Sequence, residues 1–125
     1  MKKTIIAPKA PAAVGPYSHA TVHNDTLYIS GQLPLVPETG EILDGSIDEQ
    51  TTLVMNNIKA IVEEAGSNLD NILKCTILLT DLANFGAVNE AYGKFFPKNP
   101  PARICYEVCA LPKNAEVEID AICAL

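Results

Sequence analysis

The chain has no tryptophan, one arginine, and no unbroken apolar run longer than the five residues Ala121 to Leu125. A membrane-spanning helix needs about 20 apolar residues, so no span is expected. Lys2-Lys3 is followed only by Ile5-Ile6-Ala7 before Pro8, so no signal peptide is expected either. Four cysteines, Cys75, Cys105, Cys109 and Cys123, include no C-x-x-C pair, and only two histidines accompany them. That spacing carries no metal signature. On one strand Cys105 and Cys109 would lie about 13 Å apart, beyond disulfide reach. Free thiols in a reducing cytosol are the expectation, and with them a cytoplasmic location.

Basic charge is scarce as well. Nine basic against 15 acidic residues give a net charge of -6, and the sequence pI is about 4.7. Nucleic-acid binding relies on clustered Lys and Arg, so it is not expected. Eight of the nine basic residues are lysines, which leaves Arg103 as the sole guanidinium.

What is present fits one compact domain over residues 1–125, at 48% hydrophobic content. The first fifteen residues, with Pro8, Pro11 and Gly15, read as an extended entry arm. Tyr17 to Val22 and Leu27 to Ser30 read as a hairpin turning at Asn24-Asp25. Gln32 to Gly45 is a Pro/Gly-rich loop. Ser46-Ile47-Asp48-Glu49 has the form of a capping box, and Ile47, Thr51, Val54, Ile58, Ile61 and Ala65 then recur at helical spacing until Gly66. Ile72 to Thr80 reads as a buried strand. Asp81 or Asn84 caps a second helix whose Phe85, Val88, Tyr92, Phe95 and Phe96 share a face until Pro97. Ala102 to Ala110 and Glu116 to Ala124 read as strands, locally a hairpin about Leu111 to Asn114. The result is an α+β sheet with both helices packed on one face.

Proline at 100 and 101 fixes the entry to the strand carrying Arg103. Alternation places Arg103, Cys105 and Glu107 on one side and Ile104, Tyr106 and Val108 on the other. Two roles stay open for Arg103. It could pair with Glu107 at the surface, or its planar fork could bind a small carboxylic acid bidentately, which lysine cannot do. Glu116, Glu118 and Asp120 form an acidic strip opposite Val117, Ile119, Ala121 and Cys123. Left in water it is an exposed sheet face; covered by a partner, one of its carboxylates becomes a candidate general base. His19 and His23, four residues apart, read as surface residues. Tyr17, Ser30 and Asn89 are unremarkable singly.

Taken together, Pro101-Ala102-Arg103-Ile104-Cys105, Val108, Leu111-Pro112-Lys113 and Val117-Glu118-Ile119 resemble the signature of the RidA/YjgF reactive-intermediate deaminase family. Ala10 to Ser18, Ser30-Gly31-Gln32-Leu33-Pro34 and Val88-Asn89-Glu90-Ala91-Tyr92 match it in order and spacing. The resemblance implies a chorismate-mutase-like mixed sheet with two helices, a homotrimer with inter-subunit sites, and a last strand inserted beside earlier strands rather than in a terminal hairpin. It implies hydrolysis of 2-iminobutanoate and 2-iminopropanoate to 2-oxo acids and ammonia without a cofactor or metal, protecting PLP enzymes from their own reactive products. Residue by residue it implies that Arg103 holds the substrate carboxylate and Glu118 activates water. Gly31 and Cys105 would line the pocket through their backbone, with Tyr17, Ser30 and Asn89 as further polar positions and Tyr92 as an apolar wall. The family commonly has serine after the arginine. Here Ile104 stands there, facing away from Arg103, so altered packing rather than lost activity is expected. A non-catalytic metabolite-binding trimer and an endoribonuclease or translation inhibitor are the competing functions.

Overall fold

The computed structural model describes residues 1–125. Six strands and two long helices follow in the order β1 (Lys3–Ile5), β2 (Ala20–His23), β3 (Thr26–Gln32), α1 (Ile47–Glu64), β4 (Ile72–Leu79), α2 (Phe85–Gly93), β5 (Ala102–Glu107) and β6 (Val117–Ala124). They form one mixed sheet in the order β1-β2-β3-β6-β4-β5. Only β4 and β5 run parallel, and α2 makes the crossover between them.

Several local readings are corrected, among them the end of the fifth strand, which stops at Glu107 rather than Ala110. The entry arm contains β1, which pairs antiparallel with β2; three residues are too few for periodicity to reveal. The second strand starts at Ala20, leaving Tyr17 in the preceding loop. The hairpin suspected at the end of the chain is absent. β5 pairs only with β4, while β6 lies antiparallel between β3 and β4, as the family resemblance implied. The physical reason is burial: β6 alternates apolar and polar residues, and its Val117, Ile119, Ala121 and Cys123 are fully enclosed only at the centre of the sheet.

The predicted capping box is formed. Ser46 accepts from the Glu49 N–H, and the Glu49 carboxylate accepts from the Ser46 N–H at 3.0 Å. Helix α1 buries Thr51, Val54, Ile58 and Ile61 and packs over β3 and β6 and against α2. A core of 22 buried residues joins this face to Ile77, Leu79, Ile119, Val88 and Tyr92. Each large aliphatic side chain enclosed there contributes roughly 1.5–3 kcal/mol. Asp81 caps a single 3-10 turn, Leu82–Asn84, that leads into α2, and the helix stops at Gly93 rather than reaching Pro97.

The sheet therefore has one face under the helices and one without any. On the bare face Tyr28, Ile104 and Tyr106 are each about half exposed.

Candidate functional site

A bulge builds the first half of the site. Ile29 pairs with Ala121, but the next pair along is Gln32 with Ile119, so β3 carries one residue more than β6. The extra length falls at Ser30-Gly31. Opposite it stands Glu118, which shares the bare face with Leu78, its partner on β4. A Cβ on Gly31 would sit 3.0 Å from the Glu118 Cδ and closer still to Oε2. Only glycine lets the carboxylate lie across the backbone there.

Glu118 is half-buried, and burial raises its pKa above the usual carboxylate value. The neighbouring Asp120 charge pushes in the same direction. Asp120 is itself held, accepting from the Thr76 N–H at 3.1 Å. Glu118 borders two adjoining cavities. One, of about 200 Å³, is lined by Gly31, Thr76, Leu78, Glu118 and Asp120. The other, of about 250 Å³, adds Val14, Tyr17, Ser30, Leu33 and Pro112.

The loop before β2 supplies Tyr17, whose hydroxyl accepts from the Val14 N–H at 3.2 Å, leaving its own proton free. Ser30 donates to the Ser18 carbonyl at 2.7 Å. Beneath this loop His19 is buried, not at the surface as expected from its spacing to His23. Its Nδ1 accepts from the Ala7 N–H at 2.8 Å, so the proton sits on Nε2, which donates to the Pro11 carbonyl at 2.7 Å. The entry arm is thus pinned by one imidazole, and the polar demand of two otherwise orphaned backbone groups explains why a histidine is enclosed.

The second half lies on the other side of the sheet. Arg103 pairs across β4 with Cys75 and Cys105 with Ile77, which turns both toward the helices. The predicted alternation therefore holds, with Ile104 on the opposite face. The surface pairing with Glu107 does not form: Glu107 Oε1 accepts instead from the Leu82 N–H at 2.9 Å. The guanidinium lies over two aromatic rings, 5.2 Å from the Tyr92 centroid and 5.6 Å from that of Phe85. With Asn89, Phe96 and Pro101 it borders a cavity of about 420 Å³. Burial raises the pKa of Cys75 to about 11 and that of the Cys105 thiol above its usual value, with Arg103 opposing both shifts. These are neutral thiols at physiological pH.

One chain thus brings Tyr17, Ser30, Gly31 and Glu118 together, and separately Asn89, Arg103 and Cys105. It does not unite the two groups. Arg103 and Glu118 lie on strands separated by β4, three positions apart in register and on opposite faces. Strand spacing and rise put their backbones about 14 Å apart with the sheet between their side chains. Asp120 beside Glu118 follows from the acidic strip, whereas Phe85 over the guanidinium was not expected from the sequence. Phe85 carried a signal, since it shares the apolar face of α2 with Tyr92.

Comparison with known proteins decides the family. The family model described as endoribonuclease L-PSP matches residues 7–125. The chain belongs to this family, also called RidA/YjgF. It is 43% identical over 122 residues to the 2-iminobutanoate/2-iminopropanoate deaminase of Mus musculus, covering 98% of this chain and 90% of that one. It is 45% identical over 124 residues to chloroplastic Reactive Intermediate Deaminase A of Arabidopsis thaliana, covering 99% of this chain and 66% of that one. The crystal structure of E. coli TdcF with bound serine superposes with a TM-score of 0.94 at 39% identity, covering 98% of each chain. The α+β fold of this RidA/YjgF chain, two helices on one face of a mixed sheet, is the family's. No helix in it is long and apolar enough to cross a membrane.

Proposed function

We propose that this protein hydrolyses small 2-imino acids, 2-iminobutanoate and 2-iminopropanoate, to 2-oxo acids and ammonia at sites between the subunits of a homotrimer. The observation that carries this reading is the division of the site: an arginine with its N–H edge free of acid partners on one side of the sheet, and a half-buried carboxylate of raised pKa on the other. Each is an incomplete site alone. Packing the helix-bearing edge of one subunit against the bare face of another joins Arg103 with Glu118, and supplies cover for Tyr28, Ile104 and Tyr106.

The chemistry is a balanced addition and elimination. A protonated imine is already electrophilic at C2, so the protein has to orient it and manage protons. Arg103 holds the carboxylate by two parallel hydrogen bonds. Glu118 takes a proton from water as the oxygen attacks C2, giving a carbinolamine. It returns that proton to the nitrogen; as the C–N bond breaks and ammonia leaves, the re-ionised Glu118 accepts the C2 hydroxyl proton, so the oxygen becomes the ketone and the proton is then released to ammonia or solvent. A carboxylate of raised pKa suits both the acceptance and the return of the proton. Tyr17, Ser30, Asn89 and the backbone at Gly31 and Cys105 complete the polar lining, with Tyr92 beside the clamp.

Support comes also from the relatives named for this deamination, and from TdcF, whose bound serine is a small molecule bearing a carboxylate. Four free thiols support a reducing compartment such as the cytosol. A ribonuclease function, which the family description names, is opposed by the net charge of -6 and the absence of a basic cluster.

The deciding experiment couples the protein to a PLP-dependent threonine or serine dehydratase and follows ammonia release at short times. Wild type should accelerate release, and Arg103→Ala and Glu118→Ala should not. Acceleration retained by both variants would overturn the assignment. Glu118→Gln separates turnover from binding: a metabolite-binding trimer would show neither acceleration by wild type nor any effect of this change on 2-oxobutanoate affinity.

A further inference from the structure

An arginine waiting for an anionic substrate poses a physical problem. Left unpartnered it samples many rotamers, whereas a carboxylate partner would occupy the donors the substrate needs. Aromatic faces resolve the conflict, because a guanidinium stacks through its plane and keeps its in-plane N–H edge free. In this fold both rings come from α2. Phe85 and Tyr92 are seven residues apart, two helical turns, so they fall on one side of the helix. Tyr92 is buried and packs on Phe96 with ring centroids 5.0 Å apart. Phe85 is more exposed and depends on the turn that leads into it. That turn is fastened twice: Asp81 accepts from the Ala83 N–H at 2.9 Å, and Glu107 accepts from the Leu82 N–H at the same distance.

Glu107 therefore has an indirect part. It sits on the same strand face as Arg103, four residues on, yet it holds the backbone that presents Phe85.

We infer that Phe85 and Tyr92 are positioning residues that bracket the Arg103 guanidinium for carboxylate capture, and that Glu107 acts through Phe85 by anchoring its turn. This rests on the deaminase reading above and adds to it how the clamp is preorganised without a counter-ion. A clamp engaging the carboxylate equally in ground and transition states contributes uniform binding, so loosening it raises KM and leaves kcat in place.

The test measures kcat and KM for enzymatically generated 2-iminobutanoate, and the Kd of 2-oxobutanoate by calorimetry. Wild type is compared with Phe85→Leu, Phe85→Tyr, Glu107→Ala and Arg103→Ala. Removing one partly exposed cation–π contact should raise KM and Kd about two- to fivefold in Phe85→Leu. Phe85→Tyr should restore both, and Glu107→Ala should move both in the same direction as Phe85→Leu. A purely structural role would lower kcat as the active fraction falls, with KM unchanged, and that result would overturn the inference. Unchanged KM and Kd in Phe85→Leu, with Arg103→Ala weakening the 2-oxobutanoate Kd, would also overturn it while leaving the clamp intact. Should Arg103→Ala leave the Kd unchanged, the clamp itself fails and the bracket with it. If Phe85→Leu does not fold, Glu107→Ala makes the same comparison.

Discussion

Glu118 lies over the α-carbon of Gly31 on the neighbouring strand, so near that a Cβ there would meet its Cδ at 3.0 Å. Gly31 does not have a positive φ, so alanine is compatible with the backbone and the nearest obstacle is the Glu118 side chain. Gly31→Ala should therefore fold, keep its thermal midpoint within a few degrees, and displace Glu118. Misplacing a proton-transfer group by about 1 Å costs on the order of a hundredfold in rate. A fall of about tenfold to a hundredfold in kcat for ammonia release is expected. The double variant Gly31→Ala/Glu118→Gln should be little worse than Glu118→Gln, because both changes remove the same function.

The raised pKa of Glu118 fixes the sign of two pH effects. Activity requiring the carboxylate should fall as pH drops through that raised value, giving an acid limb above the ordinary carboxylate range. Asp120→Asn removes the smaller of the two causes, so the limb should move to lower pH in a pH–rate profile. No movement would mean that Asp120 does not tune Glu118.

Stability follows the same linkage. Because the folded pKa lies above the unfolded one, the folded state binds more protons between the two values, and stability declines as pH rises through that window. Glu118→Gln should therefore raise the thermal midpoint above the folded pKa, and its advantage should vanish below the unfolded value. Thermal melts across pH 3 to 8 check this, with activity lost at every pH.

His19 makes a different demand. Replacing it with alanine leaves the Ala7 N–H and the Pro11 carbonyl without their buried partners. Destabilisation of about 2–4 kcal/mol is expected from two lost hydrogen bonds and the vacated space. Urea unfolding at fixed protein concentration measures it. Tyr17 sits on the loop just before His19, so activity should fall before the global fold is lost.

The sequence made some of this legible and left the rest dark for physical reasons. Helix α1 was readable to its cap because the capping box and the apolar period are local. Strand β6 was readable as an alternating strand for the same reason, but its partners were not, since β3 and β4 are distant in sequence and a local hairpin satisfied the same pattern. Gly31 offered a sign, because glycine inside a strand marks a bulge or a close approach. Arg103 stood out by being alone, and the alternation about it held. Its rings and the diversion of Glu107 to Leu82 were hidden, because they arise only when α2 packs beside β5.

The division of Arg103 and Glu118 between the two sides of one sheet yields the most discriminating prediction. If each site takes its arginine from one subunit and its glutamate from a neighbour, Arg103→Ala and Glu118→Ala subunits are each inactive alone but complementary in a mixed trimer. Co-refolding the two in equal amounts gives a site with both native side chains when an Arg103-bearing subunit meets a Glu118-bearing neighbour. For random assembly around a threefold axis this is about one site in four. Ammonia release near 25% of wild type should thus emerge from two inactive parents, and should be absent when they are mixed without unfolding. A site confined to one chain gives no recovery under either protocol, because no subunit then carries both residues. Light scattering on the same samples reports the assembly: trimers without recovered activity would refute the shared site, and monomers with full wild-type turnover would remove the need for it.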